Sequence, residues 1–170
     1  MTARHTTISA PVGDLLLVAD GAALTGLYFE EHRYRPRAAS MGAAVIAESD
    51  PVFSTAQTQL GEYFGGRRSR FELKLAPVGN DLQTRVWDLL REIPFGETTT
   101  YGRLAAQLGN RSLAQAVGQA VGHNPVSIII ACHRVVGADG KLTGYAGGIV
   151  RKQFLLELEE PASAKASKLF

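Results

Sequence analysis

The stretch TTYGRLAAQLGNRSLAQAVGQAVGHNP, Thr99–Pro125, decides the fold of the second half of the chain. A short helix is predicted from about Thr100 to Gly109, where the glycine closes it. A second helix is predicted to start at a cap, Ser112, and to end before Pro125. Two short helices joined by a tight Gly-Asn-Arg turn have the form of a helix-turn-helix. The same pattern is also typical of αα-hairpins that bind nothing.

The second predicted helix has one apolar face and one unusually flat face. Leu113, Val117 and Val121 recur at helical spacing and define the buried stripe. The opposite face carries short or uncharged side chains, namely Ala114, Gln115, Gly118 and Gln119. Such a face lets the helix backbone approach a partner closely. A nucleic-acid groove and a neighbouring helix both fit this description.

Downstream lies IIIACHRVVG, Ile128–Gly137, which contains the single cysteine of the chain, Cys132. A free thiol has a pKa of about 8.5, so a nucleophilic role requires a base or a stabilised anion. His133 is adjacent, but neighbours on an extended strand point to opposite faces, so it can serve Cys132 only through a chain turn or a water molecule. The residues alone leave open a structural cysteine and an activated one.

A histidine base needs a carboxylate to fix its tautomer. The predicted last helix, GGIVRKQFLLELEE, offers three candidates for this role: Glu157, Glu159 and Glu160. Upstream, DLQTRVWDLLREIPFG is predicted to be a helix with Asp81 as its cap and Pro94 as its stop. The second half of the chain is therefore predicted to be helical.

The first half has the pattern of a small sheet with one helix. HTTISAPVGDLLLVADGAALTGLYFE contains three apolar runs separated by turn residues, which predicts an antiparallel meander. RYRPRAASMGAA is predicted to be a polar loop. DPVFSTAQTQLGEYFGG predicts a helix with Asp50 as its N-cap and Gly65 at its end. FELKLAPVG alternates apolar and polar residues and predicts one more strand.

Length and composition narrow the class of protein. The 170 residues, 45% of them hydrophobic, suit one medium or two small globular domains. We expect a structural domain over residues 1–79, a functional domain over 80–160 and a mobile tail over 161–170. Since the N-terminus has no apolar signal segment and no run is long enough to span a bilayer, we expect a cytoplasmic protein. A single cysteine excludes an internal disulfide.

Charge is distributed unevenly along the chain. Residues 82–152 contain eight Lys or Arg and four Asp or Glu, whereas residues 1–81 contain eight and nine. A basic second half suits a nucleic-acid partner, although a mildly basic surface gives the same count.

The order of these motifs resembles the O6-alkylguanine-DNA alkyltransferase family. The resemblance rests on TTYGRLAAQLG, AVGQAVGHNP and ACHRVVGADGKLTGYAGGIVRKQFLLELE, and it is strong from about Leu82 to Glu159. It implies an α+β fold with a ribonuclease-H-like N-terminal domain, a small antiparallel sheet with a helix. It also implies a helical, winged-helix-like C-terminal domain with a helix-turn-helix. Members of this family flip an alkylated guanine out of DNA and transfer its alkyl group irreversibly to a cysteine.

The resemblance also implies a role for each matching residue. Cys132 matches the alkyl acceptor, His133 the water-bridged base and Glu159 the carboxylate that orients it. Asn124 matches a hinge asparagine, and Tyr101 a tyrosine that crowds the target phosphate and donates to the guanine ring. The substrate pocket is expected to include Arg134, Val135, Tyr145 and Ala146. The DNA-binding set is expected to be Arg111, Ala114, Gln115, Ala116, Gly118 and Gln119.

The implied partner is double-stranded DNA containing O6-alkylguanine, bound in the minor groove, and O4-alkylthymine is an expected second substrate. A monomer without cofactor or metal is expected, and the sequence leaves open cooperative binding along DNA. Two other functions remain possible from the sequence: a lesion sensor that binds without transfer, and the same scaffold acting on a non-DNA alkyl donor.

Three residues depart from the family pattern. Gln115 replaces an arginine that fills the space of the flipped nucleotide. Ala131 replaces a proline before the cysteine, and Ala146 replaces a serine near the guanine oxygen. Together they suggest a weaker base-flipping step or an unusual substrate range.

Overall fold

A computed structural model describes residues 3–161 of the chain. It confirms the α+β class: a small sheet with one helix comes first, and a helical region with a helix-turn-helix follows. The predicted mobile tail, residues 161–170, lies outside the described residues except for Pro161.

The predicted antiparallel meander is confirmed. Strands β1 (Ala3–Ile8), β2 (Leu15–Asp20) and β3 (Ala23–Phe29) pair in sequence order, with Thr6 opposite Leu17 and Leu15 opposite Phe29. Turn residues between the apolar runs allow each reversal of the chain. The central strand, β2, is buried from Leu15 to Ala19, so both faces of the sheet are covered.

The segment predicted to be a polar loop covers the outer face of this sheet and is not wholly irregular. It contains a 3₁₀ turn, Ala38–Ser40, and a two-residue strand, β4 (Ala43–Ala44), which pairs parallel to β1. Met41, from the same segment, packs against a small apolar cluster on the sheet made of Leu16, Val18 and Tyr28. The polar composition hid this covering role.

Helix α1 (Pro51–Phe64) has the predicted boundaries. The Asp50 side chain accepts hydrogen bonds from the backbone N–H groups of Val52 and Phe53, and Gly65 is the C-cap. Its buried side chains, which include Phe53, Leu60 and Tyr63, belong to the main core.

The strand predicted from FELKLAPVG is wrong. The segment makes one isolated bridge, Leu75 to Leu24, and no continuous ladder. The backbone of Glu72 bonds instead to the Gln59 side chain on α1, at 2.8 and 3.1 Å. Pro77 has no N–H to continue a ladder. The alternating pattern reflects alternating exposure along an extended segment that pairs with β3 at one point, around Leu24.

Helix α2 (Asp81–Arg91) has Asn80 as its N-cap. The Asn80 side chain accepts from the Gln83 N–H at 2.8 Å, and the Gln83 side chain accepts from the Asn80 N–H at 2.9 Å. This is a capping box, so the prediction of Asp81 as the cap is wrong. Asp81 occupies the first helical turn instead.

The helix-turn-helix is confirmed as helix α3 (Tyr101–Gln107), capped by Thr100, and helix α4 (Ala114–Gly122). The prediction of Ser112 as a cap is wrong. Asn110 accepts from the backbone and hydroxyl of Ser112 and starts a 3₁₀ turn, Arg111–Leu113, that leads into α4.

Two short strands and one helix complete the second region. Strands β5 (Thr99–Thr100) and β6 (Val135–Val136) pair in parallel, so they bring the start of α3 beside the segment after Cys132. Helix α5 (Ile149–Glu159) follows and buries Lys152, Leu155 and Glu159.

The outer edge of β3 joins the two regions. Leu27, near its end, donates to the Pro125 carbonyl at 2.8 Å and accepts from the Ser127 N–H at 3.1 Å. Leu24, near its start, bonds to Lys74 and Ala76 within the first region. One cluster of buried side chains runs through both regions. The sheet therefore supports the segment that leads to Cys132. The domain boundary expected near Gly79 stays a prediction.

Within residues 3–161, every helix is too short or too polar to cross a membrane.

Candidate active site

Cys132 lies where the chain turns sharply. Ala131, with φ −78° and ψ 62°, is the centre of an inverse γ-turn in which the Cys132 N–H donates to the Ile130 carbonyl at 2.8 Å. A 3₁₀ turn, Cys132–Arg134, follows at once. The chain is therefore not extended at this point, and the geometric objection to a histidine acting beside its neighbouring cysteine disappears.

Asn124 braces the loop that carries the cysteine. Its Nδ2 donates to the Ile130 carbonyl at 2.7 Å, and its Oδ1 accepts from the Val126 N–H at 3.0 Å. The same Ile130 carbonyl accepts from the Cys132 N–H. Between these contacts Ile128 adopts φ +71°, a left-handed conformation that is costly for a β-branched residue. The side chain of Asn124 thus holds the loop in a strained shape.

His133 is completely buried and hydrogen-bonded on one side only. Its Nε2 lies 2.7 Å from Oε2 of Glu159. Its Nδ1 has no hydrogen-bond partner among residues 3–161. Burial lowers the pKa of His133, although Glu159 acts in the opposite direction. A neutral ring that donates through Nε2 leaves Nδ1 as a free acceptor, which is the arrangement of a general base.

Glu159 is hydrogen-bonded to three residues from two parts of the chain. Besides His133, Tyr63 Oη donates to Oε2 at 2.6 Å, and Arg134 donates through Nε at 2.7 Å and Nη2 at 3.0 Å. Burial alone would raise the pKa of this carboxyl, but the bonds from His133 and Arg134 lower it to about 2. Glu159 is therefore an anion at neutral pH and fixes the proton on His133 Nε2.

The thiol of Cys132 is buried, at 3% exposure. Burial raises its pKa, while Asn124, Tyr145 and Lys152 act against that rise. Since burial prevails, the resting group is the neutral thiol. A nucleophilic role for Cys132 therefore requires a base that removes its proton.

A cavity of about 230 Å³ is formed between the helix-turn-helix and two loops. Tyr145 lines it and also interacts with Cys132. Four further lining residues belong to the predicted site: Tyr101, Gly118, Gln119 and Ala146. Four others do not, and sequence reasoning missed them: Arg33, Tyr34, Gly122 and Gly144. It is smaller than the roughly 300–1,000 Å³ that encloses drug-sized ligands.

Two lining residues, Arg33 and Tyr34, come from the segment predicted to be a polar loop. The Arg33 N–H donates to the Ala146 carbonyl at 2.9 Å, and the Tyr34 ring stacks on His123 at 3.9 Å. The polar composition of the segment did not indicate that it contacts Ala146 and His123. The positive φ of Tyr34, +68°, becomes evident only in the structure.

Two residues expected in the substrate pocket do not line this cavity. The Arg134 guanidinium is directed at Glu159 and at the Ile93 carbonyl, 2.6 Å from Nη1. Val135 is fully buried in β6, and its carbonyl accepts from Lys152 Nζ at 2.6 Å.

The expected DNA-binding set lies on and just before α4. Arg111, Gln115 and Gln119 are exposed, whereas Ala114, Ala116 and Gly118 are half-buried. A Cβ at Gly118 would be in ordinary contact with the Tyr101 ring, at 3.7 Å. The predicted stripe is buried at Val117 and Val121 and half-buried at Leu113.

Sequence reasoning also missed Tyr63, Thr143 and Lys152. Tyr63 is 96 residues from Glu159 along the chain, so no local pattern links them. Lys152 is fully buried within a helix whose other charged residues gave no hint of its burial. Among residues 3–161, no group of three His, Cys, Asp or Glu side chains is placed to hold a metal ion.

Comparisons with known proteins give consistent matches. Residues 3–77 match the ribonuclease-like domain of 6-O-methylguanine DNA methyltransferase, and residues 81–161 match the DNA-binding domain of the same family. A methylated-DNA–protein-cysteine methyltransferase from Mycobacterium bovis is 46% identical over 98% of both chains. One from Methanosarcina acetivorans is 42% identical over 91% of this chain and 97% of its own.

Solved structures agree with these matches. Mycobacterium tuberculosis OGT in complex with DNA is 48% identical and has a TM-score of 0.84, with 92% of each chain covered. A Methanococcus jannaschii O6-methylguanine DNA methyltransferase is 27% identical, with a TM-score of 0.65 over 90% of this chain.

The Glu159 carboxylate should stabilise the fold in a pH-dependent way. Its pKa falls from 4.5 to about 2 on folding, so its contribution is complete above about pH 4.5 and is lost as the pH falls towards 2. We expect Glu159→Gln to lower the free energy of unfolding by roughly 3 kcal/mol at pH 7. Urea unfolding at several pH values should show this difference narrowing below pH 4.5.

The exposed Glu157, four residues from its partner Gln153 on α5, provides the matched control. Glu157→Gln should change the unfolding free energy by less than about 0.5 kcal/mol at every pH. A Glu159→Gln deficit that is the same at pH 7 and pH 3 would contradict this account of Glu159.

Ala131 already has the backbone shape that proline requires. Its φ of −78° lies within the proline range of about −65 ± 15°. Ala131→Pro should therefore raise the free energy of unfolding by about 0.4–1 kcal/mol, because it restricts the unfolded chain. Urea denaturation measures the change. A loss of stability would indicate that the Ala131 N–H is needed in the folded state.

Proposed function

The chain belongs to the 6-O-methylguanine DNA methyltransferase family, and on that basis we propose that it repairs DNA by removing the alkyl group from O6-alkylguanine. Its activity is that of a methylated-DNA–protein-cysteine methyltransferase. The observation that carries the proposal is the turn at Cys132, which places a buried thiol directly before a buried His133–Glu159 pair. Nδ1 of His133 has no hydrogen-bond partner among residues 3–161.

The reaction is a displacement at the alkyl carbon. His133 Nδ1 takes the thiol proton through a water molecule, and the sulfur of Cys132 attacks the carbon. The new S–C bond forms as the C–O6 bond breaks, and guanine keeps the electron pair. The imidazolium is stabilised by the Glu159 anion, and its proton finally neutralises the leaving base through solvent. The products are guanine and an S-alkyl cysteine.

The base must leave the helix before this reaction, because its O6 substituent is inaccessible in a stacked duplex. We assign the cavity between Tyr101 and Tyr145 to the extruded base, with Tyr101 Oη as a donor to its ring. The face of α4 from Ala114 to Gln119 enters the minor groove, where sequence information is degenerate. That property suits a lesion that occurs in any sequence.

Several further properties belong to the same proposal. A thioether is not hydrolysed by water, so each molecule acts once. O4-alkylthymine, which presents a similar alkyl–oxygen bond, is a second substrate. We propose that the protein acts in the cytoplasm as a monomer that binds DNA, without cofactor or metal.

Two alternatives differ from this function in their chemistry. A lesion sensor would bind alkylguanine without transfer, but it has no need of a cysteine with a buried base. A scaffold for non-DNA alkyl donors would use the same thiol without the exposed face of α4. Both make distinct predictions in the following experiment.

Incubation of the purified protein with O6-benzylguanine should add one benzyl group, and peptide mass spectrometry should place it on Cys132. The Cys132→Ser variant, which keeps the size of the side chain, should gain no mass. An unmodified wild-type protein that still binds alkylated DNA would support the sensor. Faster transfer from free base than from an O6-methylguanine duplex would support a non-DNA donor.

Gln115 should limit the rate on duplex DNA, because it lacks the charge and reach of an arginine. We expect Gln115→Arg to raise the single-turnover rate on an O6-methylguanine duplex several-fold, up to about tenfold. Gln107→Arg, the same change at an exposed position on α3, controls for general attraction to DNA. An unchanged or slower rate in Gln115→Arg, or an equal gain in Gln107→Arg, would show that Gln115 does not limit the rate on duplex DNA.

A further inference from the structure

The hydroxyl of Tyr101, the first residue of α3, is held by a residue that the proposed function does not use. Tyr101 Oη lies 2.7 Å from Thr143 Oγ1. Thr143 belongs to the loop between β6 and α5, which also contains Tyr145. The contact therefore joins the helix-turn-helix to the loop on the opposite wall of the cavity.

Thr143 in turn contacts a buried cation. Lys152 Nζ lies 3.4 Å from both the carbonyl oxygen and the Oγ1 of Thr143, and it donates to the Val135 carbonyl at 2.6 Å. Lys152 is 1% exposed and forms no ion pair with the carboxylates of residues 3–161. Burial lowers the pKa of Lys152 to about 8, so the ammonium form still predominates at neutral pH.

The chemistry of these three groups favours one direction for the hydrogen bond between Thr143 and Tyr101. An ammonium can only donate, so Lys152 takes one lone pair of Thr143 Oγ1. Its positive charge favours the orientation in which the Thr143 proton points away from Nζ and is donated to Tyr101 Oη. Each hydroxyl has a single proton. With Thr143 as the donor, the proton of Tyr101 Oη points away from Thr143 and is available to a group bound in the cavity that Tyr101 lines.

We propose that Thr143 is a positioning residue for the alkyl-transfer reaction: held by Lys152, it orients the Tyr101 hydroxyl so that its proton faces the bound base. The inference rests on the function proposed above. It extends that function, because nothing in the motif of cysteine, histidine and glutamate requires a hydroxyl at position 143. Thr143 acts through Tyr101 and does not contact the reacting atoms.

The test removes the hydroxyl of Thr143 and keeps its shape. Thr143→Val should lower the single-turnover rate on a saturating O6-methylguanine duplex about tenfold, the effect of one lost hydrogen bond in the transition state. DNA affinity should stay within twofold of wild type. Thr143→Ser, which keeps the hydroxyl, should retain at least half of the rate. Thr143→Ala, with less bulk, should match Thr143→Val, so a folding defect peculiar to valine would be recognised.

The decisive comparison uses a Tyr101→Phe background. In that background Thr143→Val should slow transfer by less than twofold further, because no tyrosine hydroxyl remains to be oriented. A full tenfold loss there, or a Thr143→Ser variant as slow as Thr143→Val, would overturn the inference while leaving the proposed function intact. A wild-type protein that transfers no alkyl group would overturn the proposed function, and this inference with it.

Discussion

The structure depends on one buried charge, the carboxylate of Glu159. An ion removed from water is very unfavourable unless it is paired and hydrogen-bonded. Here the donors come from Tyr63 on α1 and from His133 and Arg134 in the turn after the cysteine. Each donor stabilises the carboxylate, and the hydrogen bond in turn fixes the position of the donor side chain. The last helix, the first helix and the reactive turn are consequently fixed relative to one another.

This arrangement explains how a buried, neutral thiol can be chemically useful. Burial protects Cys132 from adventitious reaction by keeping its proton in place. The same burial keeps His133 neutral, and the Glu159 anion determines which of its nitrogens is free. Removal of the thiol proton by His133 is thus chemically possible at the site.

Local signals allowed much of the fold to be predicted. Turn residues between apolar runs predicted the meander, and Gly109 with its flanking residues predicted the helix-turn-helix. The errors arose where a non-local partner decided the outcome. Gln59 on α1 binds the backbone of Glu72, and the segment after Phe71 pairs with β3 at a single bridge instead of forming a strand. The choice of Asn80 over Asp81 as a cap depended on Gln83 returning the hydrogen bond. For the candidate site, motif order identified the candidates, but Tyr63, Arg33 and Thr143 reach it through contacts that no spacing encodes.

The shared outer edge of β3 has a consequence for cooperativity. Leu27 is hydrogen-bonded to Pro125 and Ser127, the two residues that flank Val126. The loop that follows leads to Cys132. Release of that loop requires those sheet bonds to break, and the apolar cluster around them spans both regions. Opening the reactive segment therefore costs more free energy than flexing a surface loop that lacks such bonds. A substitution in the sheet, far from any reacting atom, would change how often the thiol is correctly placed.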